Sequence, residues 1–344
     1  MSALSELQAT VEALVQPGLG KGILAADESG PTIAKRFQAI GVDSTEPNRC
    51  AYRSLLLGAP GLGRFISGVI LYEETLGQCA DDGTPLAQLA ARQGIVPGIK
   101  VDAGKIALAG APGDEITQGL DGLGKRLEAY QRQGARFAKW RAVYTIGAGL
   151  PSRLAIEANA QALARYAAIC QQQGIVPIVE PEVLIDGDHP LARCAEVSQA
   201  VLHEVFNALH RQGVALELML LKPSMVLPGK AQPQAATPAE VAAQTIRILR
   251  RTVPAAVPSI NFLSGGQTPE QATANLDAIN RLGPQPWQLS FSYGRALQEP
   301  ALQAWQGQAA NLRAGQDALL KRARLNSAAG LAQYGAAMEA AAGG

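Results

Sequence analysis

The chain has 344 residues, 47% of them hydrophobic and 17% charged, with a formal net charge of +1. That balance fits a globular protein with a large core and excludes a disordered or strongly basic chain. It gives no reason to expect nucleic-acid or membrane partners, and no apolar run is long enough to span a bilayer.

Residues 4–15 have an amphipathic helical pattern that ends near Pro17-Gly18. Gly22 to Ala26 is a small apolar run capped by Asp27, followed by helices from about Thr32 and from about Asn48 to Leu57. The second run is Phe65 to Tyr72, ending at Glu73 and Glu74, and residues 84–93 read as helix. The third is Ile95 to Asp102, with a helical pattern over 116–133 and Gly134 as its C-cap. The fourth is Phe137 to Tyr144; Pro151 then opens a long helix that stops at Gly174. The fifth is Ile175 to Glu182, followed by a helix over about 190–212. The sixth is Leu216 to Leu221, delivering Lys222 before Pro223 stops it. A Pro/Gly/Gln/Ala loop over 227–237 leads to a helix from Thr237 to about Thr252. The seventh run is Val257 to Ser264, then Gly265-Gly266 and a helix over 268–282. The eighth is Trp287 to Gly294, then Arg295, further helices and an Ala/Gly-rich tail after about 326.

Eight short apolar runs alternating with helices predict βα units and parallel strands. The expected fold is α/β, a single (β/α)8 TIM barrel with an N-terminal helix and a C-terminal helical extension and tail. One domain covers 1–344, with the barrel over about 20–306 and a C-terminal helix and flexible tail over about 307–344. An open doubly wound sheet is the alternative, but no GxGxxG follows the first strand. The cysteines, Cys50, Cys79, Cys170 and Cys194, include no CxxC pair, which favours reduced thiols over a disulfide framework or a zinc site. The histidines, His189, His203 and His210, have no strand-borne partner that would make a metal site. The N-terminus has no secretion signal, so the expected location is cytoplasmic.

In a barrel, chemistry sits at the C-terminal ends of the strands. Those ends carry Asp27, Lys100 with Asp102, Lys139 with Arg141, Glu180 with Glu182, Lys222, Ser264 and Arg295. Lys139 and Arg141 are two apart, as are Glu180 and Glu182, so each pair shares one face of its strand. Four charges packed against the helix layer would be hard to satisfy, so the interior mouth is the expected side. A network of structural ion pairs remains the alternative. A lysine ending an apolar strand can snorkel to solvent, or it can act as an amine nucleophile toward a carbonyl. Burial and cationic neighbours favour the free amine, and nearby carboxylates can move the protons that Schiff-base chemistry needs. Lys222 has the most apolar flank; Lys100 and Lys139 are rival nucleophiles. Ser264-Gly265-Gly266 and Tyr293-Gly294-Arg295 stand after strands seven and eight, the usual phosphate position of this fold. Together these features predict a metal-independent, cofactor-free enzyme acting on a phosphorylated carbonyl compound.

At these residues the chain resembles class I fructose-bisphosphate aldolase. The matching segments run in the family's order from Gly20–Ser29 through Gly98–Asp102, Phe137–Arg141, Val179–Glu182, Leu220–Pro223 and Phe262–Gly266 to Ser292–Ala296. The resemblance implies reversible cleavage of fructose 1,6-bisphosphate to dihydroxyacetone phosphate and glyceraldehyde 3-phosphate. It assigns Lys222 to the iminium, Asp27 to the C4 hydroxyl proton and Glu180 to acid/base work on the Schiff base. Glu182, Lys139 and Arg141 would orient the lysine. Ser264, Gly265, Gly294 and Arg295 would hold the C1 phosphate, while Ser29, Thr32, Arg36 and Lys100 would lie toward the C6 phosphate. It also implies a homotetramer. Two features depart from the family pattern: Gly30-Pro31-Thr32 after Asp-Glu-Ser, and a C-terminus whose last tyrosine is Tyr334. The rivals are a Schiff-base aldolase preferring fructose 1-phosphate or sedoheptulose bisphosphate, a transaldolase-like or deoxyribose-phosphate aldolase-like enzyme, a metal-dependent aldolase, and a non-catalytic scaffold that kept the fold.

Overall fold

Alternation of inward and outward side chains along each apolar run closes these runs into a ring. A computed structural model describes residues 3–341. Its eight ring strands are β1 Gly22–Ala26, β2 Ile66–Leu71, β3 Val96–Lys100, β4 Phe137–Tyr144, β5 Val176–Val183, β6 Leu220–Leu221, β7 Ser259–Phe262 and β8 Gln288–Tyr293. Each pairs in parallel with its sequence neighbours, and β1 closes on β8 with Ile23 opposite Ser292. This is the closed (β/α)8 barrel that the sequence pattern predicts.

The two-residue period separates two cores. On β4, Ala138, Trp140, Ala142 and Tyr144 join the layer beneath the helices, where Trp140 packs on Tyr166 with ring centroids 5.6 Å apart. Phe137 instead joins Ile23, Ile70, Val176, Ile178, Leu218 and Leu220 in a separate interior cluster. Leu7, Val11 and Leu14 of the helix Ala3–Leu14 complete that cluster, so this helix plugs the N-terminal end of the barrel. Ser67 Oγ fastens it by donating to the Leu14 carbonyl at 2.8 Å. Gly98 is required by the same floor. A Cβ there would stand 2.3 Å from the Phe137 ring, far inside contact distance.

β6 is only two residues long, because Leu216–Leu218 forms a 3-10 turn and Pro223 follows Lys222. Lys222 still joins the ladder, its N–H donating to the Val179 carbonyl at 2.8 Å. Val179 therefore turns its backbone toward β6, and by the same period so do Pro177 and Pro181. Prolines inside a central strand are unusual because they lack a donor. Here they face the strand with the fewest carbonyls to satisfy.

Three expectations are corrected. The helix read over 116–133 begins only at Leu123, since Gly119 and Gly122 take positive φ; Glu115–Thr117 instead pairs with Lys105–Ala107 as a small hairpin. Pro151 precedes the long helix Arg153–Gln172 rather than opening it, and Ser152 is the N-cap, accepting from the Ala155 N–H at 3.1 Å. The Ala/Gly-rich segment expected to be a flexible tail continues the helix Leu312–Gly330 and then packs on it. Buried Arg322 binds both carboxylate oxygens of Glu339 at 2.7 Å, and the Tyr334 hydroxyl donates to Glu339 at 2.9 Å. These polar anchors act together with the burial of Tyr334 and the packing of Met338 on the core, neither of which an Ala/Gly-rich composition displays. The last three residues, 342–344, lie outside the described residues. Among the described residues no helix is long and apolar enough to cross a membrane.

Candidate active site

The inward positions of five strands stack apolar side chains at the floor and charged ones at the mouth. Ile23 and Ala25 on β1 lead to Asp27, Phe137 on β4 to Lys139 and Arg141, and Ile178 on β5 to Glu180 and Glu182. Leu218 and Leu220 lead to Lys222, and Gly98 on β3 leads to Lys100. Register then sets neighbours side by side: Lys100 opposite Lys139, and Arg141 opposite Glu180.

Lys222 is 4% exposed, and its Nζ lies 3.3 Å from Glu180 Oε1. Lys139 Nζ lies 3.4 Å from the other oxygen of Glu180 and 2.7 Å from Asp27 Oδ2. A buried chain thus runs Lys222–Glu180–Lys139–Asp27. Arg141 pairs with Glu182, each two residues further along the same strands as Lys139 and Glu180. The snorkelling alternative for Lys222 is not what the structure has. The cations expected beside it, Lys139 and Arg141, are each balanced by carboxylates.

Burial alone would raise the Asp27 carboxyl, but Lys139 first and Lys222 next outweigh it and hold it at about 2. Burial alone would lower Lys139; Asp27 and then Glu180 overcome that and hold its ammonium well above the usual lysine range. Glu28, next along the chain, is buried between Arg36 and Arg53, the latter at 2.7 Å. Those two arginines outweigh its burial and keep its carboxyl below the ordinary value. Gln298 donates to Glu28 at 2.7 Å and to the Ala25 carbonyl at 2.6 Å, bracing the end of β1.

All fourteen residues singled out from the sequence line one cavity of about 980 Å³. At one side stand Ser264, Gly265, Gly294 and Arg295, from the loops after β7 and β8. At the other, Ser29 occupies the N-cap position of the helix Gly30–Gln38 without a side-chain capping bond, and its hydroxyl sits 3.2 Å from that of Thr32. Pro31 stands in the first turn of this helix, where its fixed φ is tolerated, so the unusual Gly30-Pro31 leaves both hydroxyls together. Lys100 Nζ is 2.6 Å from Asp102 Oδ1. Arg36 lies between the two sides, its guanidinium 4.0 Å from where a Cβ on Gly294 would stand. Tyr334 does not line the cavity.

Several lining residues escaped the sequence reading, among them Ser292, Lys35, Lys105, Arg126 and Lys230. Ser292 is buried with its hydroxyl unpartnered among the described residues. Its two-residue alternation with Ser290 along β8 was the available signal. The others stand on a loop, on helices or, for Lys105, on a three-residue hairpin strand too short to show a period. Ten cationic and six anionic side chains line the cavity, an excess of positive charge suited to an anionic ligand. Among the described residues no group of three or more His, Cys, Asp or Glu is gathered as for a metal ion.

A closed barrel with amines and carboxylates buried at its C-terminal mouth is the architecture of a barrel enzyme for a small anionic substrate. The family profile described as "Glycolytic: Fructose-bisphosphate aldolase class-I" matches residues 6–344. The chain is 53% identical over 333 residues to the probable fructose-bisphosphate aldolase class 1 of Xanthomonas campestris, covering 96% of this chain and 99% of that one. It is 54% identical over 316 residues to the cytosolic fructose-bisphosphate aldolase 6 of Arabidopsis thaliana, covering 92% and 88%. The fructose-bisphosphate aldolase of Plasmodium falciparum, solved in complex with TRAP and a small-molecule inhibitor, superposes with a TM-score of 0.95 at 51% identity, covering 97% of this chain and 96% of that one. This chain therefore belongs to the class I fructose-bisphosphate aldolase family.

Proposed function

We propose that this protein reversibly cleaves fructose 1,6-bisphosphate through a Schiff base on Lys222. The observation that carries the reading is the buried Lys222–Glu180 contact of 3.3 Å, set between two cation- and hydroxyl-rich ends of one cavity. Lys222 Nζ attacks the C2 carbonyl, and Glu180 exchanges the protons that carbinolamine formation and dehydration require. The resulting cationic iminium draws the electron pair of the breaking C3–C4 bond. Asp27 accepts the C4 hydroxyl proton. Lys139 holds Asp27 and Glu180 together, so the two carboxylates act as a coupled pair. Arg141 and Glu182 brace the neighbouring wall.

The two ends of the cavity support a bisphosphate over a monophosphate. Ser264, Gly265, Gly294 and Arg295 would take the C1 phosphate, and Ser29, Thr32, Arg36 and Lys100 the C6 phosphate. The first group offers hydroxyl, backbone amide and guanidinium donors; the second adds the N-terminus of a nine-residue helix. The cytosolic and cytoplasmic relatives from Arabidopsis and pea support a cytoplasmic location, and assembly as a homotetramer belongs to the same proposal.

Borohydride reduction in the presence of dihydroxyacetone phosphate tests the reading. One adduct at Lys222 is expected by peptide mapping; an adduct at Lys100 or Lys139 instead would sink it. Asp27, held at about 2, is anionic throughout the working range and contributes no acid limb above pH 4. Asp27→Asn is expected to lower kcat by about 10²–10⁴ while leaving the acid limb of kcat/KM where it stands in the wild type. A limb that disappears in Asp27→Asn would show that Asp27 titrates in that range.

A further inference from the structure

The loop after β6 carries a cation outside the fourteen. Three consecutive amides fasten it to the loop after β5: Gly229 to the His189 carbonyl at 2.8 Å, Lys230 to Ile185 at 2.8 Å and Ala231 to Gly187 at 2.9 Å. Gly229 is needed for this approach, since a Cβ there would stand 2.3 Å from the Gly187 carbonyl oxygen. β5 bears Glu180 and Glu182, and β6 leads into Lys222. The backbone of Lys230 is thus tied to the same two strands that carry the proposed chemistry.

Its side chain reaches back over the cavity. A Cβ on Gly266 would stand 2.5 Å from Lys230 Cε and 2.9 Å from Nζ. A bare glycine therefore lets the ammonium lie over the turn that follows Ser264. The ion pair it makes is with Asp186 at 3.0 Å, and both side chains are largely exposed, at 48% and 69%. A pair in that setting contributes little and exchanges readily. Lys139 and Arg141 differ: they are locked to buried carboxylates and cannot leave them cheaply.

We propose that Lys230 is a swinging phosphate-binding residue, resting on Asp186 in the empty site and moving to the phosphate seated at Ser264 and Gly265. It would then set the preference for ligands phosphorylated at that end. The inference rests on the aldolase reading above and adds to it a substrate contact. A doubly charged phosphate outcompetes a solvated carboxylate for the ammonium, because charge-assisted bonds to it are the stronger.

The test compares wild type, Lys230→Met, Lys230→Arg and Asp186→Asn in turnover of fructose 1,6-bisphosphate and in product inhibition. Lys230→Met is expected to raise KM and the inhibition constant of dihydroxyacetone phosphate about threefold to tenfold. The constant for glyceraldehyde 3-phosphate, whose phosphate occupies the other end, moves less than twofold. Lys230→Arg restores most of the loss. Asp186→Asn shifts KM downward, since it removes the resting partner. Wild-type values in Lys230→Met, or equal weakening of both products, would overturn the proposal. An inactive wild type would instead condemn the aldolase reading. Calorimetric binding of dihydroxyacetone phosphate then still reads Lys230, and an unchanged Kd in Lys230→Met rejects it.

Discussion

Lys222→Met is expected to yield a folded protein whose kcat for fructose 1,6-bisphosphate is lower by about 10⁴-fold or more, the scale on which loss of a covalent nucleophile acts. The fold survives because of what surrounds the side chain. Leu220 precedes it on the same inward face, and Met matches the unbranched stem of lysine, filling the space with an adaptable apolar chain. Glu180 is not stranded by the change, because Lys139 still lies 3.4 Å from it. Circular dichroism and thermal unfolding should therefore stay near wild type while the borohydride adduct is lost. A soluble Lys222→Met protein with near-normal turnover would contradict the assignment of the nucleophile.

The charged part of the candidate site was legible in the sequence where barrel strands supplied it, although Ser292 on β8 was passed over. A two-residue period places Lys139 with Arg141 and Glu180 with Glu182 on one face, and the cost of charges beneath the helices sends that face inward. The same logic predicts the barrel, since eight runs of this kind leave few other ways to bury both sides. It fails where chain direction is not set by a strand. Lys230 and Lys105 reach the cavity from a loop and a three-residue hairpin strand, and neither has a period to betray it. The C-terminal segment fails for a different reason. Its order comes from contacts distant in the chain: Arg322 meeting Glu339 across seventeen residues, and Tyr334 buried against the core with its N–H on Asp277. Local composition there is dominated by alanine and glycine, and the few larger residues do not announce their distant partners. The plug formed by Ala3–Leu14 was legible as an amphipathic helix, but its partner was not, because the apolar floor it covers is assembled from six strands.

Lys139→Met should be more damaging to stability than Lys222→Met, although both remove a buried lysine. Lys139 is 4% exposed and serves two carboxylates, Asp27 at 2.7 Å and Glu180 at 3.4 Å. Removing it strands negative charge in the interior, which typically costs about 3–5 kcal/mol. For a chain of this length that corresponds to a fall in Tm of roughly 4–7 °C. The effect has a pH signature whose sign follows from Asp27. In the wild type its carboxyl is depressed to about 2, so the stability it contributes is present above the ordinary carboxylate range and is lost as pH falls through about 2. In Lys139→Met the largest lowering influence is gone and burial, which raises the carboxyl, is opposed mainly by Lys222. The penalty in the variant is then greatest near pH 7 and is relieved as Asp27 takes up a proton on acidification. Unfolding midpoints of the two proteins should be far apart at pH 7 and converge toward pH 3. A gap that stays constant across that range, or widens in acid, would show that Lys139 stabilises the barrel by packing alone and does not hold Asp27 in its anionic form.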